Sequence, residues 1–222
     1  MTISQKVYET IQKNILNFTY MPGFKLSDDE IAAEMGISRT PVREALNRLL
    51  QQGLVVGIPN KGFRVKSFTN KEIEDLYVVR ENLECLAVKL TIKNMNSKIE
   101  KSLKSTLLDY QEMIDSGDLV GANLADTNFH DVIALSSGNT FLHKELSDLS
   151  NQIQIIRRYD HIRLNSGVNT YNEHLQILKD MIDGDIPKAV ESMSYHIMKS
   201  LRGILKIKDR NGQKILLNLK KG

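Results

Sequence analysis

Apolar positions along the chain recur every three or four residues, a spacing that predicts helices nearly throughout. Val7, Ile11 and Ile15, for example, share one face of a first helix. Two short runs rich in β-branched residues, 54–56 and 63–65, break this pattern. Pro59 to Gly62 between them has the composition of a turn, so the two runs are expected to pair as a β-hairpin.

Two helices joined by a tight turn are predicted just before this hairpin. Ser27 and Glu30 form a capping box that opens a short helix. Gly36 permits the turn, Ser38 is expected to cap the next helix through its side chain, and Gly53 is placed to end it. Helix, short glycine-containing turn and helix make the helix-turn-helix motif.

The helix that starts at Ser38 has two faces of different character. Its predicted apolar stripe contains Ala45, Leu46, Leu49 and Leu50. Its exposed positions carry the side chains Arg39, Thr40, Arg43, Asn47 and Arg48. Such a helix suits the major groove of DNA, and a hairpin tip with Lys61 and Gly62 would act as a wing on the backbone or minor groove. The alternative is an ordinary helix pair with a solvated basic face, but caps, turn, polar composition and wing all agree with DNA binding.

Charge is distributed unevenly along the chain. Residues 38–66 hold six basic residues and one acidic residue, which places positive charge where phosphate contacts are expected. Residues 69–202 hold 15 basic and 20 acidic residues, and the tail 203–222 is basic again. Thr69 and Glu72 form another capping box, so we place a domain boundary there, between residues 1–68 and residues 69–222. The second domain is predicted to be an all-α bundle of six or seven helices.

The composition is that of a globular protein of the cytoplasm. The only cysteine, Cys85, has no partner for an internal disulfide and is expected to be a small core residue. No apolar run approaches the length of a membrane span, and the N-terminus has no signal-peptide pattern.

Three histidines and one aspartate of the second domain form a candidate metal site. Asp126 and His130 are four residues apart and project from one helix face, and His174 and His196 lie on two other predicted helices. Carboxylate and imidazole are good ligands for transition metals. In the alternative, these four residues are polar groups at helix ends and surfaces. Spacing alone leaves this alternative open and even favours it.

The N-terminal motifs resemble the winged helix-turn-helix of GntR-type bacterial transcription regulators. The matching residues are Pro22-Gly23, Leu26, Ile31-Ala32, Met35-Gly36-Ile37, Ser38 to Leu46, Arg48-Leu49 and Gly53-Leu54-Val55. The resemblance implies that Arg39, Thr40 and Arg43 touch bases and phosphates and that the wing tip with Gly62 enters the minor groove. Some members carry a further DNA-contacting arginine ten residues before Arg39; here that position is Asp29, so this contact is not expected.

The second domain resembles the FCD ligand-binding domain of the FadR branch of these regulators. The matching residues are Val79 to Glu84, Asp126, Phe129-His130, Ser137-Gly138-Asn139, Glu173-His174, Leu178, Gly184-Asp185, Ala189 and His196. The resemblance implies that Asp126, His130, His174 and His196 hold one divalent metal per chain. Zn, Ni, Mn and Fe are not distinguished by this ligand set. His143 and His161 match no ligand position.

The resemblance also implies a function. We expect a homodimeric regulator, acting as a repressor, that binds a palindromic operator in double-stranded DNA and is not an enzyme. A small carboxylate effector would bind the metal at its open positions, and Arg80 would pair with it; the alternative for Arg80 is a structural ion pair with Glu84. Two other functions compete: a metal-dependent hydrolase, for which no general base is apparent, and a regulator whose metal is structural or is itself the signal.

Overall fold

The computed structural model describes residues 2–17, 19–59, 62–157 and 166–219. These residues form nine helices and three short strands, so the protein is mainly α as predicted. The chain divides into two compact units, residues 1–69 with 151–155, and residues 70–150 with 156–222.

The first unit combines three helices with a small antiparallel sheet. Its elements are α1 (Ile3–Leu16), β1 (Lys25–Leu26), α2 (Asp28–Met35), α3 (Arg39–Gln51), β2 (Val55–Ile58) and β3 (Gly62–Val65). β3 is the central strand, with β1 on one side and β2 on the other, and Val56 lies opposite Arg64. The predicted hairpin is therefore present, and β1 is an addition, because two residues are too few to carry a period.

Local capping explains where α2 and α3 begin and end. The Ser27 hydroxyl accepts a hydrogen bond from the Glu30 N–H at 3.3 Å, as the capping box predicts. Gly36 and Gly53 end the two helices with φ of 64° and 69°, a left-handed conformation that glycine adopts without steric cost.

Two details of α3 differ from the sequence-based prediction. Ser38 stands at the N-cap in extended conformation, but its side chain makes no capping hydrogen bond. Leu50 is 40% exposed, and Val42 takes its place in the buried stripe beside Ala45, Leu46 and Leu49. Residues 42, 45, 46, 49 and 50 all fit one wide apolar stripe, but residue 50 lies at its edge, about 80° around the helix axis from residue 42. A residue at the edge of a stripe is buried only if another element covers it.

The described residues of the second unit form helices joined by short connections. Its elements are α4 (Asn70–Asn94), α5 (Ser97–Asp115), α6 (Leu119–Ser136), α7 (Thr140–Arg157), α8 (Ser166–Ile182) and α9 (Ile186–Leu219). Within α7, residues 151–155 are grouped with the first unit. α4 packs against α6, α8 and α9, which together surround the candidate metal site. The basic tail, for which the sequence left strand, helix and frayed chain open, continues α9 as helix to Leu219.

Cys85 lies in the interior of the second unit. Its thiol faces the carbonyl oxygen of Val190 at 3.7 Å, and burial raises the pKa of Cys85 to about 11. A thiol that stays protonated is a weak nucleophile, which agrees with a core role. In the described part of the chain, no helix is both long and apolar enough to cross a bilayer.

Candidate functional site

The four residues predicted to bind metal come together in the interior of the second unit. Asp126 and His130 project from α6, His174 from α8 and His196 from α9, and all four are buried. Each offers one ligand atom, and these atoms lie within 4.8 Å of one another. Nε2 of His174 is 3.3 Å from Nε2 of His196 and 3.5 Å from Oδ1 of Asp126.

Two glutamates contact the Nδ1 atoms of two of these imidazole rings. Nδ1 of His130 lies 2.5 Å from a carboxylate oxygen of Glu84, and Nδ1 of His196 lies 2.8 Å from one of Glu173. An Nδ1–H that donates to a carboxylate fixes the tautomer with a free lone pair on Nε2, the usual orientation of metal-binding histidines. Glu173 is also paired with Lys199.

The electrostatics keep His174 and His196 in the neutral form that binds a cation, and Glu84 ionised. Burial, above all, holds the pKa of His174 well below its ordinary 6.5, and the neighbouring His196 and His130 lower it further. Burial and His130 likewise lower the pKa of His196. Although burial opposes ionisation of Glu84, His130 and Arg80 hold the pKa of its carboxyl well below the usual range. Neutral imidazoles and ionised carboxylates are the forms that bind metals.

These donors fit a transition metal. Metal–imidazole bonds of about 2.1 Å place adjacent ligand nitrogens of one ion roughly 3.0 to 3.4 Å apart, the range in which the two Nε2 atoms lie. If both Nε2 atoms carry lone pairs, they face each other and the Asp126 oxygen with no proton between them. A cation at their centre satisfies all of these acceptors at once. The cluster can therefore bind a metal ion, and its ligand types suit Zn, Ni, Mn and Fe alike.

Two arginines border the cluster, of which only Arg80 was expected. Arg80 donates from Nε to Glu84 at 2.8 Å, so the predicted ion pair exists, yet Nη2 of the same guanidinium lies 3.4 Å from Nε2 of His130. Arg157, the last residue of α7, forms an ion pair with Asp126. Burial and the positive charge of Arg80 lower the pKa of Arg157.

Sequence reasoning missed three members of the site, and for different reasons. Glu84 was considered only as a partner of Arg80, and Glu173 only as part of a motif; neither was linked to a histidine. The i, i+4 spacing of Arg80 and Glu84 was a usable signal. Arg157 had none, because a helix end is brought to Asp126 only by packing. His143 pairs with Asp131 at 2.9 Å, and His161 lies outside the described residues.

The predicted DNA-contacting residues of α3 stand at its exposed N-terminal end. Arg39, Thr40 and Arg43 are exposed side by side. Arg39 pairs with Asp28 at 3.0 Å and with Asp29 at 2.8 Å, and Arg43 lies 3.5 Å from Asp28. The acidic first turn of α2 therefore neutralises part of this face and positions the Arg39 guanidinium.

Arg48 differs from the other three residues on α3. Its guanidinium lies 4.1 Å from the ring centre of Tyr8 and donates to Gln5 at 2.8 Å, so it packs against α1. Its role in DNA contact remains a prediction. Gly62 begins β3 with φ of 80° at the exposed hairpin, whereas Lys61 lies outside the described residues.

Comparison with known families agrees with both units. Residues 3–65 match the family described as bacterial regulatory proteins, gntR family, and residues 75–199 match the FCD domain. The FCD match alone covers more than half of the chain. The chain belongs to the GntR family. It is a transcription regulator with a DNA-binding helix-turn-helix and an FCD domain.

Individual relatives support this assignment. The Nta operon transcriptional regulator of Aminobacter aminovorans is 30% identical over 194 residues, which are 86% of this chain and 90% of that protein. The structure of E. coli McbR/YncC is similar in fold, with a TM-score of 0.81 at 19% identity over 93% of this chain and 98% of that one. A structure described as the metal-free FCD domain of TM0439 is also similar, with a TM-score of 0.55 at 17% identity. The match covers 64% of this chain and 96% of the TM0439 chain.

These relatives are transcription regulators, which agrees with the prediction that this protein is not an enzyme. The metal-dependent hydrolase considered from the sequence has no support among them. The buried histidines therefore have to be explained within a DNA-binding regulator.

Proposed function

We propose that this GntR-family protein is a homodimeric repressor that a small organic acid releases from a palindromic operator. Residues 1–68 bind DNA, and residues 69–222 hold one divalent transition metal at which the acid binds. The observation that carries the proposal is the cluster of Asp126, His130, His174 and His196, whose ligand atoms lie within 4.8 Å in the FCD unit.

The metal supplies a Lewis-acidic anchor for a carboxylate, because four protein ligands leave positions open on a six-coordinate ion. The protein orients the ligands through Glu84 and Glu173. Arg80 supports the effector role, since its buried guanidinium faces the cluster beside His130 and is suited to receive a carboxylate.

Membership of the GntR family supports the proposed dimer and the symmetry of its operator. GntR regulators generally act as dimers, and a two-fold dimer reads two half-sites related by the same symmetry. An acid that binds better to one arrangement of the two DNA-binding units than to another changes DNA affinity by that difference. Because bacterial operators lie in the cytoplasm, the protein acts there.

The test compares His174→Ala with His143→Ala, a control histidine outside the cluster. Elemental analysis of the wild type and the control is expected to give about one metal ion per chain, and of His174→Ala much less. Operator binding in gel shifts is expected to survive in His174→Ala, whereas dissociation by a carboxylic acid is lost.

Two results would contradict the proposal. If the wild-type protein neither contains nor binds a metal, the cluster is a set of packed polar groups and the effector binds elsewhere. If His174→Ala loses operator binding as well, with the control unaffected, the metal is structural or is itself the signal.

A further inference from the structure

Two arginines, Arg80 buried and Arg157 nearly so, face the predicted ligand atoms from outside the cluster. Nη2 of Arg80 lies 3.4 Å from Nε2 of His130, and the guanidinium of Arg157 contacts the carboxylate of Asp126. The Arg80 side chain is 2% exposed and that of Arg157 11%. Two positive groups are therefore confined beside the place where a divalent cation would bind.

The charges in this region balance only without a metal. The two guanidinium groups are matched by the carboxylates of Asp126 and Glu84, and Glu173 is matched by Lys199. Histidines that bind a metal ion do so as neutral imidazoles and add no charge. A divalent ion at the cluster adds two positive charges to a buried site, and uncompensated buried charge is strongly unfavourable. A single carboxylate removes half of that excess.

The same region contains hydrogen-bond donors that have no acceptor. Nη1 of Arg80 and the Tyr77 hydroxyl are buried and, in the described part of the chain, neither donates to an acceptor. The Tyr77 hydroxyl interacts with the guanidinium groups of Arg80 and Arg157, which can only donate. Arg80 lies against the Tyr77 ring, with 5.4 Å between the guanidinium carbon and the ring centre, so the two groups share one region. Buried donors without acceptors are costly, and ligand oxygens would satisfy them.

We infer that the effector is an organic dianion with two carboxylate groups, and that Arg157 is the residue that selects it. One carboxylate takes an open position on the metal. Arg157 contacts Oδ2 of Asp126, whereas Oδ1 faces His174, so a metal held by Oδ1 would leave Arg157 beside it. Arg157 together with Arg80 would then bind the second carboxylate of the effector. The inference rests on the proposed function, because without a metal the site has no charge excess.

The first experiment measures charge selectivity by calorimetry on the metal-loaded full-length protein. Malonate, succinate, glutarate and adipate are each compared with their own monoamide, which keeps the length and shape but removes one charge. At least one dicarboxylate is expected to bind roughly 10- to 100-fold more tightly than its monoamide, because the monoamide lacks one charge-assisted bidentate contact. Inorganic phosphate is the arm that tests for a small inorganic dianion.

The second experiment uses Arg157→Gln, with Arg202→Gln on the exposed side of α9 as the matched control. Arg157→Gln is expected to remove the preference for the dicarboxylate and, because one positive charge beside the ion is removed, to bind the metal itself more tightly. Arg202→Gln should change neither property. Arg157→Lys keeps the charge without the bidentate geometry, and is expected to retain part of the preference if Arg157→Gln proves unstable.

The outcomes separate this inference from the proposed function. Monoamides that bind as well as every dicarboxylate, a preference that persists in Arg157→Gln, or tight binding of phosphate alone would each overturn the dicarboxylate inference while the metal-anchored regulator stands. Failure of all these acids to bind the metal-loaded protein would also overturn the dicarboxylate inference, whereas absence of metal would overturn both.

Discussion

The metal-free protein is expected to lose stability as the pH falls below about 6.5, because His174 and His196 are buried among groups that oppose their protonation. In the folded protein the pKa of each lies well below 6.5, mainly through burial, whereas in the unfolded chain each has its ordinary value of 6.5. Below pH 6.5 the unfolded state therefore binds more protons than the folded state, and stability rises with pH through this range.

The magnitude follows from the number of protons involved. Each histidine contributes at most about 1.4 kcal/mol of unfolding free energy per pH unit, so the pair contributes at most about 2.7 kcal/mol per unit. Set against a typical domain stability of about 5 to 15 kcal/mol, this is a large change. Glu84, whose pKa is lowered in the folded state, acts in the same direction but only nearer its ordinary value of 4.5.

The assay is urea denaturation of chelator-treated protein at a series of pH values between 7.5 and 5.5, an interval of about one pH unit on each side of the ordinary histidine value. His196→Asn removes one of the two groups and is expected to halve the slope. A free energy of unfolding that stays flat over this interval would refute the argument, since it would mean that the folded site accepts protons as readily as the unfolded chain.

Three further predictions concern single side chains. Arg43→Ala is expected to weaken operator binding and, with two such residues in a dimer, to reduce the slope of log affinity against log salt concentration by about 2. Fluorescence anisotropy at several salt concentrations measures this slope. An unchanged slope would mean that Arg43 does not contact DNA. Asp29→Asn removes the negative charge that pairs with Arg39, so affinity for both operator and unrelated DNA should rise several-fold in the same assay, about the effect of one additional phosphate contact. Weaker binding would mean that Asp29 positions Arg39 for DNA instead. Glu173→Gln should lower metal affinity about 10- to 100-fold, measured by chelator competition, because His196 loses its carboxylate partner. The control Glu191→Gln, on the exposed side of α9, should leave metal affinity unchanged. Equal affinities in the two variants would show that the His196 ring is held by packing alone.

Local signals in the sequence were sufficient for most of the helix-turn-helix. Ser27, Gly36 and Gly53 act on their own neighbours in the chain, so their capping roles could be predicted without the fold. The same reasoning failed for Leu50 and for the Ser38 side chain. An apolar residue at a helix edge is buried only if another element covers it, and a capping hydroxyl bonds only if no other rotamer is preferred.

The sequence by itself determined the type of most elements, though not of β1 or of the tail that continues α9. It also determined the caps that bound many of the helices and which side chains were chemically able to bind DNA or metal. Only the tertiary structure decided that residues separated by up to 70 positions, from Asp126 to His196, bring their ligand atoms within 4.8 Å. It alone placed Glu84 and Glu173 behind two of the rings and Arg157 against Asp126. The reason is that periodicity fixes the direction of a side chain about its own helix axis, whereas convergence depends on how α4, α6, α7, α8 and α9 pack against one another, which no single helix encodes.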